Sequence, residues 1–119
     1  RHQGLLAVRG DARRLRDILS SIEDIQAFTA GMAEEDFLRL EASDRMKFRA
    51  VCNCVTTLGE AVKNLSPEIT AKNSAINFSG YAGMKDIIRH QYFRVQFDLL
   101  WKTISAVSIV SNISACPRP

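Results

Sequence analysis

The sequence predicts an all-α fold, an antiparallel four-helix bundle, and three observations carry that expectation. Six glycines and three prolines make only nine chain breakers in 119 residues, too few for a turn-rich β-sandwich. Apolar residues recur at three- and four-residue steps, the period of a helix with one buried face. Hydrophobic residues at 46% and charged residues at 24% are ordinary for a folded domain with one core and unlike those of a disordered chain. Residues 1–119 therefore read as one helical domain, with 1–10 and 114–119 as tails.

The elements follow in order. Arg1 to Gly10 has no periodicity, and Asp11 is the candidate N-cap of a first helix. Leu15, Ile18, Leu19, Ile22 and Ile25 form its apolar stripe, and Gly31 stands where a glycine ends a helix. Ala33 to Glu41, with Phe37, Leu38 and Leu40, reads as a connector or a short helical turn. A second helix starts near Ser43 or Asp44. Its stripe of Phe48, Val51, Val55, Leu58, Val62 and Leu65 alternates steps of three and four, the seam of a bundle. Ser66-Pro67-Glu68 stops it, and Pro67 suits a first helical position. Ile69 to Asn77 reads as a loop with at most one helical turn. A third helix spans about Phe78 to His90 and a fourth about Phe97 to Ile113, with Leu100, Ile104 and Val107 facing inward.

Composition excludes several functions. No apolar run approaches the roughly 18 residues of a bilayer span, and no leader-like apolar segment is read near Leu5-Leu6-Ala7-Val8. Cys52, Cys54 and Cys116 have no C-x-x-C spacing, and His2 and His90 are far apart, so no metal and no cofactor is expected. Unpaired cysteines point to a reducing cytoplasm. A net charge of +3 fits a nucleic-acid partner without requiring one.

The chemistry-bearing string is Gly83 to Phe93. Residues four apart share a helix face, which aligns Tyr81, Lys85 and Arg89, with Tyr92 three further on. Asp86 and His90 form a second pair one step round. Each residue has a plain reading: a solvated face for Lys85 and Arg89, a surface pair for Asp86 and His90, a packed aromatic for Tyr92 and for Trp101. Together they also suit metal-independent cleavage of RNA through its own 2′-hydroxyl. Such a site needs a group that exchanges protons near neutral pH, which is histidine. It needs a neighbouring carboxylate such as Asp86, to orient the ring. It also needs a cation at the phosphate where charge builds. One such histidine in the string cannot easily serve as both acid and base, and a two-fold homodimer would supply the second copy.

At these residues the chain resembles the HepT family, minimal all-helical members of the HEPN superfamily. Leu58-Gly59-Glu60-Ala61-Val62-Lys63-Asn64-Leu65-Ser66-Pro67-Glu68 resembles the family stretch I-G-E-A-x-K-x-L-S-P-E. Ala82-Gly83-Met84 resembles its A-G-M lead-in, and Lys85-x4-His90-x-Tyr92-Phe93 its R-x4-H-x-Y-F motif. Trp101-Lys102-Thr103-Ile104 resembles the V-W-x-T-I of its last helix. The likeness spans about Asp11 to Ile113.

The resemblance implies a HEPN-type bundle and an RNase toxin of a type VII-like toxin–antitoxin pair. It implies a composite active site at a homodimer cleft and an antitoxin that is a minimal nucleotidyltransferase (MNT). His90 takes the catalytic acid or base position, Asp86 the polar position after the motif arginine, and Tyr92 the position that accepts AMP when the antitoxin silences the toxin. An added phosphate beside His90 would put negative charge where RNA belongs.

The motif arginine is Lys85 here. Lysine keeps the charge and loses the planar fork. Three outcomes follow: lysine suffices, Arg89 on the same face substitutes, or the chain is a weakened toxin serving as a nucleotide- or partner-binding module. A structural dimer or a DNA-binding regulator rests only on the basic balance, since no base-reading helix is evident.

Overall fold

The computed structural model describes residues 2–90 and 97–112 of the chain. Among these residues there are six α-helices and one 3-10 helix, and no strand. They are α1 (His2–Thr29), α2 (Glu34–Ser43), α3 (Arg45–Lys63), α4 (Pro67–Lys72), α5 (Phe78–Arg89) and α6 (Phe97–Ser105), followed by the 3-10 segment Val107–Asn112. The expected all-helical bundle is present. Two short helices, α2 and α4, supplement the four that the apolar periodicity indicates.

The central element is α3, which packs against α1, α2 and α5. Its whole predicted stripe is buried, from Phe48 at 3% exposed through Leu58 at 0% to Leu65 at 7%. Asp44 caps it, accepting the Lys47 N–H at 3.1 Å, as the sequence indicates. From α1, Ile18, Ile22 and Ile25 enter the core. Leu19 does not: it is 46% exposed, one residue off the buried line. Gly31 ends the turn after α1 with φ 77°, a conformation glycine adopts without steric cost.

Three sequence expectations are corrected. Asp11 is not an N-cap of the first helix, which starts at His2. It is buried inside α1, and its carboxylate accepts the Ser66 N–H at 2.9 Å and the Ser66 hydroxyl at 2.6 Å. It thus secures the residue that begins α4, across 55 positions of chain. Ala33 to Glu41, read as a connector or a short helical turn, is the N-cap and most of the ten-residue helix α2. Its start is stabilised by Glu34, Glu35 and Asp36 in the first turn, whose charge complements the helix dipole. Asp36 also accepts the Ala33 N–H at 2.8 Å. The α2 helix brings Phe37 and Leu40 inward. Phe37 sits between Phe48 and Trp101, ring centroids 5.8 and 5.4 Å away. Finally, the fourth predicted helix is α6 followed by a 3-10 turn. Leu100, Ile104, Val107 and Val110 nevertheless all face the core.

The helices α3 and α5 approach tightly at Gly59, where a Cβ would stand 2.6 Å from the Tyr81 carbonyl oxygen. A Cβ on Gly83 meets nothing within 4 Å. Gly59→Ala must therefore push the two helices apart, costing about 1–3 kcal/mol, more than the roughly 1 kcal/mol alanine gains in helix propensity. Gly83→Ala keeps that gain and is neutral to stabilising. Urea midpoints of the two variants measure the difference; equal effects would contradict the close crossing.

Candidate functional site

The residues of the candidate string lie on the second half of α5 and its end. Asn77 starts this helix, accepting the Gly80 N–H at 3.1 Å. Met84 is its buried anchor at 2% exposed. Tyr81, Lys85 and Arg89 share a face, as the four-residue spacing dictates. Each meets a different neighbour along it. The Tyr81 hydroxyl donates to the Ala106 carbonyl at 3.2 Å, tying α5 to the end of α6. Burial raises the Tyr81 pKa.

Lys85 crosses to α3, where its Nζ meets Glu60 Oε1 at 2.6 Å. Its side chain is 13% exposed, against 57% for Glu60. The hydrogen bond from Lys85 holds the Glu60 carboxyl below its ordinary range, helped by the charges of Lys63 and Arg89. The same bond holds the Lys85 ammonium above the usual lysine value, against the opposing effect of its burial. Sequence reasoning gave Glu60 no role. The usable signal was its place beside Gly59, since a glycine at a helix crossing lets the next residue reach the partner helix.

These directions fix a pH dependence. Glu60 is depressed below 4.5, so its stabilising contribution is present above pH 4.5 and is lost as pH falls through the lower folded value. Lys85 is raised above 10.5, so its contribution is present below pH 10.5 and is lost as pH rises through the higher folded value. The stability difference between parent and Glu60→Gln, read from urea midpoints, is therefore expected to be flat between these limits and to shrink beyond them. A difference that disappears near pH 7 would refute the pair.

Asp86, Arg89 and His90 are exposed at the end of α5. His90 caps the helix, and its backbone N–H donates to the Asp86 carbonyl at 3.0 Å. The structure thus brings Lys85, Asp86, Arg89 and His90 into one and a half turns. Arg89 also borders a polar cleft against α1 and α3 that contains Glu60. Tyr92 lies outside the described residues.

Cys52 is buried, and burial followed by the nearby Glu41 charge pushes its thiol up to about 12. Cys54 is raised for the same first reason, with Asp24 adding to it. Neither is an activated nucleophile; both are packing residues. Among the described residues no group of three or more His, Cys, Asp or Glu side chains is placed to hold a metal. Nor is any described helix long and apolar enough to cross a membrane.

An all-helical bundle with an exposed histidine and cations gathered at one helix end is a scaffold suited to acting on a phosphodiester. The chain belongs to the HepT-like ribonuclease family: residues 18–110 match the family described as "Ribonuclease HepT-like". It is similar to "Putative RNase MJ0125" of Methanocaldococcus jannaschii, 42% identical over 75% of this chain and 73% of that one. It is also similar to "Probable ribonuclease HepT" of Thermococcus cleftensis, 36% identical over 76% of this chain and 78% of that one. No solved structure matches the chain.

Proposed function

We propose that the chain is the toxin of a type VII-like toxin–antitoxin pair, an endoribonuclease that cleaves RNA without a metal. The observation that carries this reading is the cluster at the end of α5, where Lys85, Asp86, Arg89 and an exposed His90 stand together. The family membership supports RNA as substrate. In this reading His90 moves the proton at the 2′-hydroxyl or at the leaving oxygen. Asp86 orients the ring. Lys85 or Arg89 faces the phosphate oxygens as charge builds on them. A two-fold dimer places two such clusters across one cleft, so that one histidine acts as base and the other as acid.

The antitoxin is an MNT-type nucleotidyltransferase, which silences the site by forming a phosphodiester between the Tyr92 hydroxyl oxygen and the α-phosphate of ATP. Pyrophosphate leaves and the hydroxyl proton passes to solvent. The protein works in the cytoplasm, where both RNA and ATP are available.

Incubation of the dimer with the transferase and ATP tests the reading. The expected result is a mass gain of one AMP on the peptide that holds Tyr92, together with loss of RNA cleavage. An active transferase that leaves Tyr92 unmodified would overturn the silencing step. It would then favour the binding-module reading, which rests on the arginine-to-lysine departure at Lys85.

A further inference from the structure

The Lys85–His90 cluster does not account for the cleft that begins at Arg89. This hollow, about 540 Å³, is walled by Arg14 and Asp17 of α1, by Glu60 of α3 and Asn64 just after it, and by Arg89 at the end of α5. A second hollow of about 400 Å³ adjoins it, sharing Arg14 and Asn64 and reaching Lys63 and the start of α4. The pair forms a path that starts at Arg89, the residue before His90 in sequence, and passes Arg14 and Lys63.

Asp11 accepts two hydrogen bonds from Ser66, Glu60 is paired with Lys85 and also faces the charges of Lys63 and Arg89, and Asp17 is the third carboxylate, so acids and cations both line the path. Arg14 is the key residue. Its Nε is buried and has no hydrogen-bond acceptor among the described residues. A buried donor without an acceptor is uncommon in a folded protein. Here it lines the place where the two hollows meet. A guanidinium in the wall shared by both hollows matches the paired oxygens of a phosphate. The continuity of the two hollows suits a strand with repeated phosphates better than a single nucleotide.

We infer that this α1–α3 cleft is a binding subsite for the backbone of single-stranded RNA, with Arg14 holding a phosphate that flanks the one at His90. The inference rests on the proposed ribonuclease reading and names the part of that substrate the second subsite takes.

The test is binding of a fluorescein-labelled, fully 2′-O-methyl RNA 12-mer, which cannot be cut through its 2′-hydroxyl, by fluorescence anisotropy across a salt series. Cleavage of unmodified RNA is followed in parallel. Arg14→Gln is expected to weaken binding several-fold and to lower the slope of log affinity against log salt by about 0.7, the share of one phosphate contact on a single strand. Arg14→Lys keeps the slope and loses part of the affinity, which separates a lost contact from a disturbed fold. Arg39→Gln, on α2 outside the cleft, leaves both unchanged. A parent-like slope in Arg14→Gln overturns the subsite and leaves the ribonuclease reading standing if the parent cuts RNA. Binding that depends on Arg14 in a parent that never cuts RNA overturns the ribonuclease reading and leaves the subsite. A parent that neither binds nor cuts overturns both. If Arg14→Gln keeps its RNA affinity but loses capture of the transferase, the cleft is a protein-docking surface and the inference fails.

Discussion

Replacing His90 with alanine is expected to lower kcat for RNA cleavage by roughly 10²–10⁴-fold, the usual share of a positioned proton-transfer group. KM should change little. His90 stands at the exposed end of α5, so the loss falls on the chemical step and the fold is spared. An unchanged urea midpoint is the accompanying expectation. Lys85→Arg is the informative companion, because it restores the planar fork without altering charge. If Lys85 faces the phosphate, cleavage rises. If Arg89 already does so, Lys85→Arg changes little and Arg89→Gln removes most of the activity. A His90→Ala protein that cuts as fast as the parent would refute the assigned chemistry at its centre.

The largest expected effect on stability is at Phe37, far along the chain from the site. Phe37 is 0% exposed and touches both Phe48 and Trp101. It therefore joins α2 to α3 and α6 at once. Phe37→Ala removes the transfer energy of the ring and leaves a cavity, costing about 3–5 kcal/mol. That is a large part of the roughly 5–15 kcal/mol a domain of this kind possesses. The melting temperature should fall by on the order of 10–30 °C. Phe37→Leu, which fills most of the space, should recover much of the loss. A melting temperature within a few degrees of the parent would mean that α2 does not depend on this ring.

Particular residues show what the sequence could and could not reveal. The α3 stripe from Phe48 to Leu65 was legible because a helix buried along one side repeats every three or four residues, and nothing else in the segment obscures that period. Gly31 was legible for another local reason, a glycine standing just past the end of its helix. The α2 helix was obscured because three apolar residues in a short window do not establish a period. Its clearer mark was the acidic run Glu34-Glu35-Asp36 at its start. Asp11 looked like a cap for the helix it occupies and serves another element 55 positions away; a long-range bond leaves no local trace. Leu19 fitted the first stripe by spacing and lies outside it by one step of rotation.

The candidate site divides in the same way. The grouping of Lys85, Asp86, Arg89 and His90 was readable from helical spacing alone. The partner of Lys85 was not, because Glu60 lies 25 residues earlier and meets it only through the Gly59 crossing. Arg14 gave no signal in the sequence: its place in a cleft wall depends on how α1 lies across α3.

The most direct measurement on the central claim is cleavage of a defined RNA by unmodified protein in excess EDTA, with the new ends identified. The account predicts continued cutting, with a 2′,3′-cyclic phosphate on one product and a 5′-hydroxyl on the other, because the attacking oxygen belongs to the RNA itself. Abolished cutting in EDTA, or a 5′-phosphate on the product, would contradict it.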